Sequence, residues 1–193
     1  SPMLIKEHKS ILIPVDFSPA SECAIEYGTY LANLYRADIL LFHMRENATA
    51  YPPQLLGSES LATKEVILKK ATEKLDGYAE SITKKHGVFV KHKLITGKSA
   101  IKITEVVASD NIDLIVMGAH GLSGFEELFL GSIARKVVNL SPCPVITVRE
   151  GSKLSGIKSI VLPIDESKYS RQKVSNVLPL AAKCNSMVHI LGL

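Results

Sequence analysis

Three glycines and a serine carry the strongest chemical signal in this sequence: Gly118, Gly121 after two intervening residues, and Gly131-Ser132 after nine more. With glycine near 7% of residues, this spacing arises by accident in roughly one chain of this size in a hundred. The pattern follows an apolar run, Ile112–Met117, and leads into an amphipathic stretch from Ser132. Lacking Cβ, glycine lets the backbone lie against a ligand and turn its N–H groups inward as an anion nest. The following helix start adds unpaired N–H groups and the positive end of its dipole. Phosphate or polyphosphate binding suits this arrangement, with the Ser132 hydroxyl as a further donor. The plainer reading is a glycine loop in which Ser132 merely caps its helix. The loop is not a Walker A loop, since Gly-Lys-Ser/Thr is absent. Nor does Gly-x-Gly-x-x-Gly follow the first strand, as a dinucleotide fingerprint would.

Asp16 is the second candidate. It ends the run Ile11–Val15 and stands two residues before Ser18-Pro19. Its plainer reading is a helix-entry cap near Ser18. Lys98, His120 and Arg135 could approach phosphate, although solvated surface positions are the plainer reading of all three. His43, at a strand end, reads as a satisfied structural histidine. No His/Asp/Glu/Cys set has metal-ligand spacing, and no serine sits in a Gly-x-Ser-x-Gly elbow. No catalytic residue and no protein-held metal are therefore assigned. Cys23, Cys143 and Cys184 make neither a disulfide framework nor a Cys-x-x-Cys site. They read as buried, inert thiols in a reducing cytoplasm.

The elements that would position these residues follow from periodicity. Ile11–Val15 reads as a buried strand. Ser18 at the N-cap and Pro19 at the first helical position open a helix to about Arg36. A second strand spans Ala37–Met44, and residues 45–60 read as a long loop. A helix from about Leu61 to His86 stops at Gly87. Strands at Val88–Ile95, Ile112–Met117 and Pro144–Arg149 alternate with helices at Ser99–Ser109 and Ser132–Leu140. Continuous apolar strands separated by helices imply a parallel sheet covered on both faces. The expected fold is α/β, doubly wound, with strand order 3-2-1-4-5. Ligands of such sheets bind at the carboxyl ends where the winding reverses, here between Asp16 and the Gly118 loop.

The chain then repeats itself. Ser10–Ser18 reads SILIPVDFS and Ser159–Ser167 reads SIVLPIDES; Leu31-Ala32 aligns with Leu180-Ala181, and Met44 with Leu193. The expected organisation is a domain over 1–149, a Gly/Ser linker over 150–158, and the start of a second, truncated repeat (β-α-β) over 159–193. Two strands and a helix cannot bury a core of their own.

Composition excludes several classes. Hydrophobic residues make up 46% of the 193 and charged residues 22%, which rules against disorder. The net charge of +4 is mild, and the basic residues are scattered, so neither a nucleic-acid arm nor a membrane-surface patch is indicated. No apolar run reaches the ~18 residues of a membrane span.

Taken together, these motifs resemble the universal stress protein family. The matching parts are Leu12-Ile13-Pro14-Val15-Asp16-Phe17-Ser18, His43, Ile115-Val116-Met117-Gly118-Ala119-His120-Gly121, Gly131-Ser132 and Ser141-Pro142-Cys143-Pro144-Val145. The glycine pattern is that of the family's ATP-binding branch, so the resemblance implies an ATP-binding stress-response or regulatory protein. It implies that Asp16 bonds ribose or the adenine edge, and that Pro14 and Val15 shape the base pocket. Met44 would pack on adenine, where relatives more often carry Val. Met117 and Gly118 would border the ribose, and Gly121, Gly131, Ser132 and Ile133 would wrap the phosphates. Mg²⁺ would arrive with the nucleotide. A homodimer or larger homo-oligomer, formed through the edge strand Pro144–Arg149, is also implied. The sequence has no dedicated base or arginine finger for fast phosphoryl transfer, so slow ATP hydrolysis is the most that is expected. Two alternatives stand beside this reading: a non-catalytic assembly module, and an adenylyl-transfer enzyme of related fold, whose usual paired histidines are missing.

Overall fold

Strand β1 (Lys9–Pro14) lies at the centre of a five-stranded sheet in the computed structural model, which describes residues 9–45, 64–96, 99–120 and 130–192. The elements follow in the order α1 (Pro19–Tyr35), β2 (Ala37–Arg45), α2 (Lys64–His86), β3 (Val90–Thr96), α3 (Ser99–Ser109), β4 (Leu114–Gly118), α4 (Ser132–Leu140) and β5 (Val145–Val148). The sheet order is β3-β2-β1-β4-β5 and every pairing is parallel, as the alternation of apolar strands with helices implies. The expected start of the long helix at Leu61 lies outside the described residues.

Side chains alternate across the sheet. Leu12, Leu40, Phe42, Ile115 and Met117 form one apolar cluster with Ala100, Ile103 and Val107 of α3 and with Ala134 and Val137 of α4. Ile13 points the other way, toward Gly28 of α1. The strand at the reversal is keyed by a reciprocal pair: Ser10 N–H donates to Asp113 Oδ2 at 3.0 Å, and Asp113 N–H donates to Ser10 O at 2.9 Å. Asp113 is spent on this link, so β4 begins at Leu114 and not at Ile112, where the apolar run starts.

The chain divides into two compact units, Ser1–Ser152 and Lys153–Leu193. The second contains β6 (Ser159–Ile164), α5 (Lys168–Cys184) and β7 (Met187–Gly192), with β6 and β7 parallel.

Candidate functional site

The site begins with a corner. After β1 the backbone turns through Val15 and Asp16, and Phe17 adopts φ 63°, a left-handed conformation that a bulky side chain rarely takes. Its buried ring is held 4.6 Å from the His43 ring, with Lys74 Nζ 5.2 Å from its centroid. Ser18 then caps α1, its Oγ accepting from Ser21 N–H at 3.2 Å. Ser18 also fixes the carboxylate: Asp16 Oδ1 accepts from its N–H at 3.0 Å and from its hydroxyl at 2.5 Å. Asp16 thus serves the helix start with one oxygen, and Oδ2 takes no bond among the described residues.

His43 is buried behind this corner. Its Nδ1 lies 2.7 Å from Val15 O, and since a carbonyl only accepts, Nδ1 carries the proton. Burial pushes the imidazole below its ordinary range, against smaller upward pulls from the Val15 bond and the Asp16 charge.

The opposite wall comes from β4 and α4. Gly118 packs against α1 so closely that a Cβ there would meet Ala20 C, Ala20 Cβ and Ser21 N at 3.1 Å. Ala119 N–H donates to Val148 O at 2.7 Å, and Ala119 O accepts from Gly131 N–H at 2.8 Å. The two ends of the glycine segment are thereby tied together. Gly131, not Ser132, is the N-cap of α4, and it supplies no side-chain cap. Ser132 and Ile133 are instead the first helical residues, and among the described residues no side chain caps the amide groups of this turn.

Between these walls lies an open cleft of about 150 Å³. It is lined by Pro14, Val15, Asp16, Met44, Met117, Gly118, Gly131, Ser132 and Ile133, which are the sequence candidates apart from Gly121. Gly121 and Lys98 lie outside the described residues. Sequence reasoning missed Phe42, Ile103, Ser21, Ala119 and Ala134 in the lining and did not count His120 among the binding residues. Phe42 was recoverable, since it shares a strand face with Met44 two residues on. Ile103 was not, because nothing local shows that α3 crosses below the cleft. The cleft therefore has an apolar side from Phe42, Met44 and Ile103, a carboxylate at one lip, and uncapped helical N–H groups at the other. That combination accepts a flat apolar ring with a polar edge and an attached anion. Among the described residues no group of three or more His, Cys, Asp or Glu could hold a metal. Cys143 is half-buried, and burial raises its thiol pKa, so it is no reactive thiolate.

A doubly wound parallel sheet with a cleft at its reversal point is a Rossmann-like α/β domain. The chain belongs to the universal stress protein family, whose sequence profile matches residues 7–149. A universal stress protein of Thermus aquaticus is 34% identical over 142 residues, which span 73% of this chain and 98% of the relative. The solved structure of universal stress protein UspA from Lactobacillus plantarum is similar with a TM-score of 0.59 at 25% identity, over 73% of this chain and 97% of that one. A universal stress protein from Archaeoglobus fulgidus DSM 4304 matches with a TM-score of 0.72 at 22% identity, over 95% of this chain and 66% of that one. Two further solved members are nucleotide complexes. One holds cAMP (TM-score 0.54, 18% identity, 74% of this chain and 98% of that one) and one, from Archaeoglobus fulgidus, holds dAMP (TM-score 0.53, 21% identity, 72% and 97%). Below 25% identity these likenesses show the fold alone.

Proposed function

We propose that the first unit binds an adenine nucleotide, ATP with Mg²⁺, and acts as a nucleotide-responsive regulatory module in stress response. The observation that carries this is the pairing, in one cleft, of the Asp16 carboxylate with the N-terminus of α4, which no side chain caps among the described residues. Adenine would lie against Met44, Phe42 and Ile103. Asp16 Oδ2 would accept from the ribose or the base edge, and the Gly131–Ile133 amides would receive the phosphates. Bound Mg²⁺ would supply charge neutralisation on the phosphates, held chiefly by them and by water. Family membership and the nucleotide complexes of relatives support the reading. Calorimetric titration with Mg-ATP tests it, beside Gly131→Val. The expected result is binding by the native chain and a loss of at least about tenfold in the variant, equivalent to ~1.4 kcal/mol. An absence of binding at millimolar ATP would sink the reading.

We also propose a homodimer through the β5 edge. This strand ends the sheet order among the described residues, and α4 beside it exposes Ile133, Val138 and Leu140. Light scattering that returns a monomer mass at working concentration rules this out. The second unit, finally, we read as the opening of a second copy of the same fold. The agreement of register and caps between β1-α1-β2 and β6-α5-β7 supports this.

A further inference from the structure

Within the β1–α1 corner, Phe17 combines a buried aromatic side chain with φ 63°. A left-handed conformation costs an L-residue free energy, because Cβ crowds the following carbonyl oxygen. Such strain persists only where the surroundings over-determine it. Here they do so from both sides. Before Phe17, Val15 is pinned through its N–H to Phe42 O at 2.9 Å and through its carbonyl to His43 Nδ1 at 2.7 Å. After it, Ser18 caps α1. The ring itself lies 4.6 Å from the His43 ring and 5.2 Å from Lys74 Nζ of α2. The corner of the second unit shows that the turn alone does not require this. Glu166, at the matching position, is exposed and has no positive φ. Asp165 nevertheless accepts from Ser167 through the same two bonds, at the same lengths, as Asp16 from Ser18. What differs is the next serine. Ser170 donates its hydroxyl to Asp165 Oδ1 at 2.5 Å. Its counterpart Ser21 donates to Ser18 O at 2.9 Å instead, and Ser21 and Asp16 both line the cleft. Gly192 stands where His43 does, so the second corner has neither that imidazole nor its bond to the preceding strand. A left-handed backbone, a seated ring and a carboxylate clear of the next serine therefore occur together in the first corner.

We propose that Phe17 is the positioning residue of Asp16. Its ring, seated against His43 and Lys74, holds the Asp16–Ser18 turn left-handed, and that backbone keeps the carboxylate turned to the cleft and away from the Ser21 hydroxyl. Phe17 is not in the cleft lining, so it acts through Asp16 and touches no ligand. Burial of the ring offsets the cost of the conformation. The arrangement that binds is then the populated one, and affinity is not reduced by the rarity of a competent state. This assignment rests on the nucleotide reading given above, in which Asp16 Oδ2 accepts from the ribose or the base edge.

The test titrates Mg-ATP by calorimetry into the full chain, as native protein, Phe17→Ala and Phe17→Gly. Both variants lack the ring, but only glycine takes positive φ without steric cost. Phe17→Ala is expected to weaken ATP about tenfold, since an alanine freed of the packing leaves the left-handed state. Phe17→Gly is expected to return to within about threefold of native, because that state is open to it again. Equal losses in the two variants would assign the effect to the missing ring and overturn the proposal. Native affinity in Phe17→Ala also overturns it and leaves the nucleotide reading intact. On an Asp16→Ala background, Phe17→Ala is expected to be nearly silent, within about twofold, because the two residues act as one unit. A full loss on that background shows that Phe17 acts without Asp16 and overturns the assignment. Native protein that binds no ATP overturns the nucleotide reading, and the assignment with it. Should Phe17→Ala fail to fold, Phe17→Leu and Phe17→Val decide. Both refill part of the space, and the β-branched valine resists positive φ more strongly. Valine is expected to bind ATP several-fold more weakly than leucine, and equal affinities overturn the assignment.

Discussion

The β1–α1 corner of the first unit and the β6–α5 corner of the second share their local parts. Asp16 and Asp165 each accept on Oδ1 from the serine two residues on, through both its N–H (3.0 Å) and its hydroxyl (2.5 Å). Ser18 and Ser167 are N-caps of near-identical backbone, and Arg36 and Asn185 close the helices in the left-handed conformation at φ 53° and 52°. Lys9 pairs with Ala37 and Ser159 with Met187, the same separation in both units. The surroundings differ sharply. Leu12 and Leu41 are 0% exposed, whereas their counterparts Val161 and Ile190 are 64% and 67% exposed. Phe17 is left-handed, but Glu166 in its place is not. Ser21 donates its hydroxyl to Ser18 O, while Ser170 turns its own onto Asp165. Short-range sequence suffices to build the corner. The burial around the first corner comes from β4, α3 and α4, which pack with Leu12 in one apolar cluster.

Exchanging or trimming matched residues probes that difference. The largest effect is expected from Leu12→Ala set against Val161→Ala. The first opens a cavity in the cluster under the cleft and should cost about 2–5 kcal/mol in urea unfolding. The second removes exposed methyl groups and should stay within about 0.5 kcal/mol. Comparable losses would mean that the second sheet is covered in solution.

Gly28→Val is next. Val177 occupies the matching position in the second unit. In the first, a Cβ on Gly28 would already collide with the Ile13 side chain. Overpacking of about 1–3 kcal/mol is expected, read as a lower urea midpoint. A neutral result would show that α1 can move off the sheet as freely as an uncovered helix.

Ser18→Ala should cost about 1 kcal/mol through the lost cap. It should also weaken nucleotide binding, because Asp16 loses its hydroxyl partner. Ser167 makes no side-chain cap bond, so Ser167→Ala should leave the melting temperature almost unchanged. If the two variants melt alike, capping is not what separates the corners.

The smallest effect is a pH dependence carried by His43, whose counterpart is Gly192. Burial holds the folded imidazole below the ordinary 6.5, so the unfolded chain takes up the proton first. The contribution is fully present above about pH 6.5 and is lost as the pH falls from there through the folded-state value. Melting temperatures from pH 8 to 5 should fall, and less steeply in His43→Gln. An identical fall in that variant would assign the dependence to other groups.

Much of this architecture could be read before the fold was seen. The alternation of apolar runs and helices left few strand orders, because parallel strands need crossovers of one hand, and the expected one, 3-2-1-4-5, is observed. Gly118 and Gly131-Ser132 stood out by spacing, and Asp16 by its place after an apolar run. The details that shape the site were less accessible. The helix starts at Ser132 as its sequence suggests, but the alternative that Ser132 caps it gives way to Gly131 as the cap. The extended strand Val88–Ile95 begins in the ladder only at Val90, although Phe89 O still accepts from Ile39 N–H.

Sequence by itself thus determined the identity and order of the elements in the first unit, the repeated corner, and the residue types at the cleft. Each of these depends on neighbours within a turn, a strand or a cap. Tertiary structure alone decided that Phe17 is held left-handed against His43, that Ile103 and Phe42 form the apolar wall, and that His120 Nε2 is buried without a partner among the described residues. It also decided that one corner is buried and its twin exposed. Those outcomes depend on which distant strands and helices pack around a residue, and local periodicity carries no record of them.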